Sequence, residues 1–467
     1  MSFLGLPIEI LPEIVDHIVK PQHLARVCLV NKAFNIFASE KLYARIYIYS
    51  WHRESKIKVV QLFTSLARYS HLAKYVRRLE IRDFPKAITT DDNEVLTDIV
   101  TQGLRNCINL TSCTWTRDGV LSTEILEALH SCQQLCTLEI NGHSEGHYDP
   151  RSLLGFKNLQ QISIIMPSLA LASQLKSWIM MNGESLCSLT LICKASCLLE
   201  SIAPYLPNLR FFNLTGCPKV THKGVLAVAS SSTHRLLGLS LEGVSPHFAI
   251  DVFAVSCISN DLLCHLKSLT LTVNKNRRMC AAPDWTQDVI KLVSKSPLER
   301  FQIYSTGSTL EASSTDELWT SLVQNHGTRL LRISIHRMLI SLESIHKICS
   351  GCPNLEDLFL VMDAKSVPTL AAPLSKVKKL RTVHINSPLE PMSDTDNIST
   401  SYGVLSAQAL SVIRECSSTL NLFGWNTKVW QVDRRILKDD DGTLRSERIL
   451  TPYSSPEIPE QFTVVRI

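Results

Sequence analysis

The sequence predicts an α/β array: one parallel strand and one helix alternate along most of the chain, with a different kind of cap at each end. Three observations predict it. A six-residue phrase, apolar at its first, fourth and sixth positions, recurs every 23 to 34 residues or so. The residues between copies suffice for a helix, and several carry helical spacing. The 467 residues are also too many for one compact core, whereas a repeat array extends its interior along its length.

The phrase reads Leu110-Cys113-Trp115, Leu135-Leu138-Ile140, Leu159-Ile162-Ile164 and Leu186-Leu189-Leu191. It continues at Leu209-Phe212-Leu214, Leu236-Leu239-Leu241, Leu266-Leu269-Leu271 and Leu298-Phe301-Ile303. Leu330-Ile333-Ile335, Leu355-Leu358-Leu360 and Leu380-Val383-Ile385 follow, with weaker copies at Val76-Leu79-Ile81 and Leu420-Phe423-Trp425. Alternate side chains of a strand face opposite sides. The fourth and sixth positions therefore point inward together, the first turns in beside them, and the residues between face out. One such strand cannot bury its apolar face, but stacked copies can. Helical spacing follows in Leu121, Ile125, Leu126 and Leu129; in Val225, Leu226, Val228 and Ala229; in Leu318, Leu322 and Val323; and in Leu342, Ile345 and Ile348.

Both ends depart from the pattern. Pro388 to Tyr402 is polar, with Glu390, Asp394 and Asp396, and reads as a surface loop. Val429 to Leu437 and Leu444 to Leu450, around Asp439 to Gly442, read as a β-hairpin covering the last repeat. The tail Pro459 to Ile467 suggests a final strand. At the other end, Pro7 suits the first turn of a helix. Ile10, Ile14 and Ile18 share one face of that helix, and Pro21 ends it. A second helix holds Leu24, Val27, Cys28 and Leu29, and a third Phe34, Phe37, Ala38 and Leu42. Three helices this short have too little core to stand alone.

The stretches Leu209 to Ala229 and Ile345 to Leu360 resemble cysteine-containing leucine-rich repeats. Residues 6 to 43 resemble an F-box: Leu6-Pro7-x-Glu9-Ile10-Leu11, Ile14 and Ile18, Leu24-x-Arg26-x-Cys28-Leu29-Val30-Asn31-Lys32-x-Phe34, and Ala38-Ser39-x-x-Leu42-Tyr43. The turn Val19 to His23 lacks the family's frequent acidic residue, and Leu42-Tyr43 stands in place of a late tryptophan. The resemblance implies a three-helix F-box over 1–48, a linker helix over 49–75, a horseshoe of about 13 leucine-rich repeats over 76–426, and a β-hairpin cap and tail over 427–467. It implies that Leu6, Pro7, Ile10, Ile14, Leu24, Val27, Val30 and Phe34 dock on a SKP-type adaptor, and through it on cullin and RING subunits. The chain would then be the substrate-recognition subunit of a ubiquitin ligase, without catalytic residues or cofactor. The alternative is a stand-alone repeat scaffold.

Such arrays bind partners on the outward strand face. Early repeats place small polar residues there: Ser112, Thr137, Ser163, Thr190, Thr215, Ser240 and Thr270. Later repeats place Arg300, Gln302, Tyr304, Arg332, His336, Asp357, Phe359 and His384 there. Arginine and aromatic residues dominate interface energetics, so the C-terminal half is the expected protein-substrate surface.

Composition and motifs narrow the classes. A net charge of +5 is small for this length, so no nucleic-acid partner is expected. The ten Lys/Arg against three Asp/Glu between Lys41 and Asp83 read as a solvated face. Fifteen scattered cysteines do not form a disulfide framework. With no basic n-region at the N-terminus and no run of about 18 apolar residues, the expectation is a cytosolic or nuclear chain without membrane spans. The sequons at Asn109, Asn213 and Asn397 then carry no sugar. Gly142-His143-Ser144-Glu145-Gly146 has the form of a nucleophile elbow, but His147-Tyr148-Asp149-Pro150 reads as a turn where the elbow needs a helix. Cys349-x-x-Cys352 lacks a second ligand pair, and Cys132-Cys136 and Cys193-Cys197 have the spacing of one helix face, so no metal is expected.

Overall fold

In a computed structural model of the chain, residues 7–85, 90–192, 198–274, 285–306, 315–388, 398–438 and 443–453 are described, with side chains for all of these except 90–93, 274, 306 and 398–405. The chain divides into two compact units, residues 1–220 with 230–234, and residues 221–229 with 235–467.

The first unit carries β1 (Arg45–Ile48), β2 (Arg78–Ile81), β3 (Ser112–Trp115), β4 (Thr137–Asn141), β5 (Gln161–Ile165), β6 (Ser188–Ile192) and β7 (Phe211–Thr215). Each pairs in parallel with the next in sequence. The second unit carries β8 (Gly238–Glu242), β9 (Ser268–Asn274), β10 (Arg300–Thr306), β11 (Arg332–His336), β12 (Asp357–Val361), β13 (Thr382–Asn386) and β14 (Leu422–Trp425), again paired in parallel order. Then β15 (Lys428–Lys438) pairs antiparallel with β14, and β16 (Leu444–Pro452) antiparallel with β15. The residues between β15 and β16, and the tail expected to add a strand, lie outside the described residues.

Every copy of the phrase falls on a strand, β2 to β14, in the register read from the sequence. Its three apolar positions are buried throughout, as at Leu159, Ile162 and Ile164, and at Leu298, Phe301 and Ile303. Most parallel strands meet their neighbour at one doubly used carbonyl. The Arg77 carbonyl accepts from the Thr111 and Ser112 N–H groups, Cys136 from Gln160 and Gln161, and Glu356 from Arg381 and Thr382. Asparagines just before the phrase add a second tie. The Asn109, Asn208 and Asn354 side chains donate to the Lys74, Glu184 and Thr328 carbonyls of the preceding repeat, at 2.8, 2.7 and 2.8 Å.

The connecting segments vary. Most hold an α-helix, such as Thr123–His130 or Leu342–Gly351. Others contain a 3-10 turn with a proline: Pro150–Gly155, Ala203–Tyr205 and Ala364–Leu370. Proline removes the donor that an α-helical turn needs, and short 3-10 pieces tolerate the loss. The loop expected through Tyr402 ends earlier, because a helix spans Ile398–Glu415. The part at 389–397 lies outside the described residues.

The N-terminal segment differs from its expected form. Pro7 precedes a 3-10 turn, Ile8–Ile10, and Pro12 opens α1 (Leu11–Asp16). Pro21 opens α2 (Pro21–Val27) rather than closing the helix before it. The inward pair of α1 is therefore Leu11 and Val15, with Ile14 and Ile18 half-buried beside them. Asn31 caps α3 (Lys32–Ala44) by accepting the Phe34 N–H at 2.9 Å. Leu11, Val15, Leu24, Phe34 and Ala38 form the core of this cluster, and Lys41 on α3 pairs with Asp16 on α1 at 3.0 Å. The last residue of α3 leads directly into β1, one strand earlier than the phrase predicts. The Ala44 carbonyl accepts the Arg77 N–H. Helices Ser55–Arg68 and Ser70–Ala73 then occupy the stretch read as a linker helix.

Candidate functional site

The three-helix cluster shows a mismatch between core and surface. Its core is five side chains, yet it leaves Ile8, Val30 and Leu29 52%, 63% and 85% exposed, and Val19 and Ile36 exposed as well. Of the residues assigned to docking, Pro7, Ile10 and Val30 lie at this surface, and Ile14 and Val27 are half-buried. Leu24 and Phe34 are buried in the cluster's own core, with Leu11, Val15 and Ala38. Leu6 lies outside the described residues. Leu29, the most exposed of these aliphatics, belongs to the motif but was not among the docking positions.

The outward face of β10 to β13 carries the residues read as a substrate surface. Tyr304 stacks on His336 with ring centroids 4.6 Å apart, and Phe359 on His384 at 6.2 Å. The Arg332 guanidinium lies 4.7 Å over the Phe359 ring, and Gln302 donates to the Tyr304 hydroxyl at 2.5 Å. These rings cover one another so fully that Phe359, His384, Tyr304 and His336 are 1%, 3%, 7% and 8% exposed. They form a second packed layer on the outward side of the sheet. The charged side chains open on this face are Arg300, which is exposed, and Arg332 and Asp357, which are half-buried. Gly424 of β14 makes room for the layer: a Cβ there would lie 1.8 Å from His384 Nδ1.

Burial sets the protonation of the layer. Burial, with His384 and Arg332 nearby, lowers the pKa of His336 to about 3. Burial likewise lowers His384 to about 4. Glu242 on β8 is raised by burial to about 7. No hydrogen-bond partner is placed on His336 Nε2.

In the first unit the outward charges of β1, β2 and β4 are paired among themselves. Arg45 bonds Glu80 at 3.0 Å, and Arg82 forks onto Glu139 at 3.2 Å through both terminal nitrogens. Asp83 accepts Ser55 at 2.5 Å. The basic stretch from Lys41 to Asp83 is thus partly neutralised by acids from its own unit. Further along, the outward face of β5, β6 and β7 holds one exposed aromatic, Phe211 at 42%. The phrase concealed it, since Phe211 stands next to the inward Phe212 in a paired Phe-Phe.

The decoy motifs are occupied structurally. Ser144 is buried and its hydroxyl bonds that of Ser168 at 2.7 Å. The Ser144 carbonyl accepts the His147 and Tyr148 N–H groups in a turn, so no helix starts behind it. Cys349 and Cys352 are buried, and burial pushes both thiols up to about 12. Cys132 is raised the same way to about 11. Cys193 and Cys197 lie outside the described residues. Among the described residues, no helix is long and apolar enough to cross a membrane.

The fold class is thus a mixed α/β chain of strand–helix repeats on parallel sheet, led by a helical cluster. No family model matches the chain, and no curated protein matches it. A solved structure described as that of the Rad7 and Elc1 complex in yeast is similar at 14% sequence identity with a TM-score of 0.48, covering 85% of this chain and 96% of that one.

Proposed function

We propose that this chain is a substrate receptor of the F-box type. The N-terminal cluster docks on a SKP-type adaptor of a cullin–RING ubiquitin ligase in the cytosol or nucleus, and the repeats hold a protein substrate. Chemistry then resides on partner subunits, and this chain contributes positioning. The observation that carries the reading is the apolar surface of a cluster that also carries the F-box-like sequence. Several large aliphatics left exposed on three short helices with so small a core favour a surface that a partner covers. The absence of a linker between α3 and β1 supports it, because a receptor must present its substrate at a fixed distance from the adaptor.

The test is capture of purified SKP-type adaptor by the full chain. Wild type binds, and Ile10→Asp and Val30→Asp each reduce capture at least tenfold while the circular dichroism stays unchanged. Point variants are preferable to deletion of residues 1–45, which also removes Arg45 from β1 and its bond to Glu80. If wild type captures no adaptor, the chain is a stand-alone repeat scaffold.

A further inference from the structure

We infer that the outward face of β5, β6 and β7 is the substrate surface, and that it takes an uncharged, extended segment of a partner protein anchored by an apolar side chain against Phe211. This rests on the receptor reading above and names the class of substrate.

β5 presents Gln161 and Ser163, β6 Ser188 and Thr190, and β7 Phe211 and Asn213, while the alternate residues are buried. The register places Ser188 beside both Gln161 and Phe211. Farther along the same strands Ile165 and Ile192 are half-buried, adding apolar area without charge. None of these outward positions is charged in a chain that is 19% Asp, Glu, Lys and Arg. Interface centres are depleted in charge and enriched in aromatic residues, and this face shares those two features. The hydroxyls and amides supply hydrogen bonds that a peptide backbone can use, and Asn213 already donates to Thr190 at 3.2 Å.

The lack of charge on these positions sets the class of occupant. A charged partner side chain over this face would lose its hydration and find no counter-charge. On the same side of the unit Arg82 is paired with Glu139 and Arg45 with Glu80. On the second unit the aromatic layer of Tyr304, His336, Phe359 and His384 is covered by its own packing. An exposed aromatic on the repeat face is found instead at Phe211.

A phage library of random 12-residue peptides, selected on the full-length chain, tests this. The expected result is enriched peptides with an uncharged centre containing an aromatic or large aliphatic residue. They should bind Phe211→Ala at least tenfold more weakly and Arg300→Ala unchanged. Ser188→Asp, in place of a large-to-small change, should give the same loss for these peptides and admit lysine-bearing ones. Unchanged thermal unfolding of each variant shows that folding is not the cause. Enrichment of acidic peptides that depend on Arg300, peptides indifferent to Phe211, or no enrichment would overturn the inference. Adaptor capture is read separately, so loss of one result leaves the other standing.

Discussion

Phe359 illustrates how a residue chosen as a contact can turn out to be core. At 1% exposed, between the Arg332 guanidinium and the His384 ring, it supports the outward layer of the second unit. Phe359→Ala should cost about 3–5 kcal/mol in denaturant unfolding, the range for truncating a buried aromatic. A loss below about 1 kcal/mol would show that the ring is free to bind a partner. The histidines of the same layer set a pH dependence. An unfolded histidine titrates near 6.5, whereas His384 and His336 titrate near 4 and 3 in the folded chain. Below 6.5 the unfolded chain therefore binds more protons, so this contribution is complete above that pH and is lost as pH falls toward 4. Glu242 acts oppositely: its folded value near 7 exceeds the unfolded 4.5, so its contribution is present below 4.5 and lost as pH rises through 7. His326, which burial also lowers to about 4, acts in the same direction, and the three histidines outweigh one carboxyl over most of this window. The melting temperature should drop between pH 6.5 and 4.5, and drop less in His336→Gln. An equal drop in the variant would remove His336 from the account.

At the scale of elements, the strands were legible because two demands coincide in the same residues. The phrase must be apolar to fill the interior and must alternate to sit in a strand, so it identified β2 to β14. β1 was missed because Arg45–Ile48 reads Arg-Ile-Tyr-Ile, too short for the phrase and continuous with α3. The inward face of α1 was misread because three isoleucines at helical spacing outweighed Leu11 and Val15, while Pro12 set where the helix begins. The candidate site was less legible still. Outward positions alternate correctly, but whether a ring there is open or stacked depends on which residue the neighbouring strand sets beside it. The asparagine ties were also invisible, since their partners are backbone carbonyls. Removing one is measurable: Asn208→Ala should cost about 0.5–1.5 kcal/mol through the lost bond to Glu184. At the C-terminal end, Arg448 reaches from β16 to the Ile413 and Cys416 carbonyls at the end of the last helix. A guanidinium there satisfies carbonyls that the helix leaves open. Arg448→Ala should raise hydrogen exchange along β15 and β16 while leaving β12 and β13 at wild-type rates.

For the whole molecule, the consequence of strict sequential pairing is locality. Each parallel strand bonds only the strands before and after it, so stability is close to a sum of repeat and nearest-neighbour terms. A lesion in one repeat should therefore be felt by its neighbours and fade along the chain. The N-terminal helical cluster sits at the start of the first unit, joined to β1 without a linker, whereas the aromatic layer lies in the second unit. Phe359→Ala should thus speed hydrogen exchange in β11 to β13 and leave β2 to β5 unchanged. Under the receptor reading it should also leave adaptor capture at the wild-type level. The reciprocal variant, Val30→Asp, should lose the adaptor and keep the exchange pattern of every strand, because Val30 is exposed and belongs to no core. Faster exchange spreading from β12 back to β2 would mean that the chain unfolds as one cooperative block. A destabilised repeat would then be enough to release the adaptor, and the separation of docking from recognition along the sequence would fail.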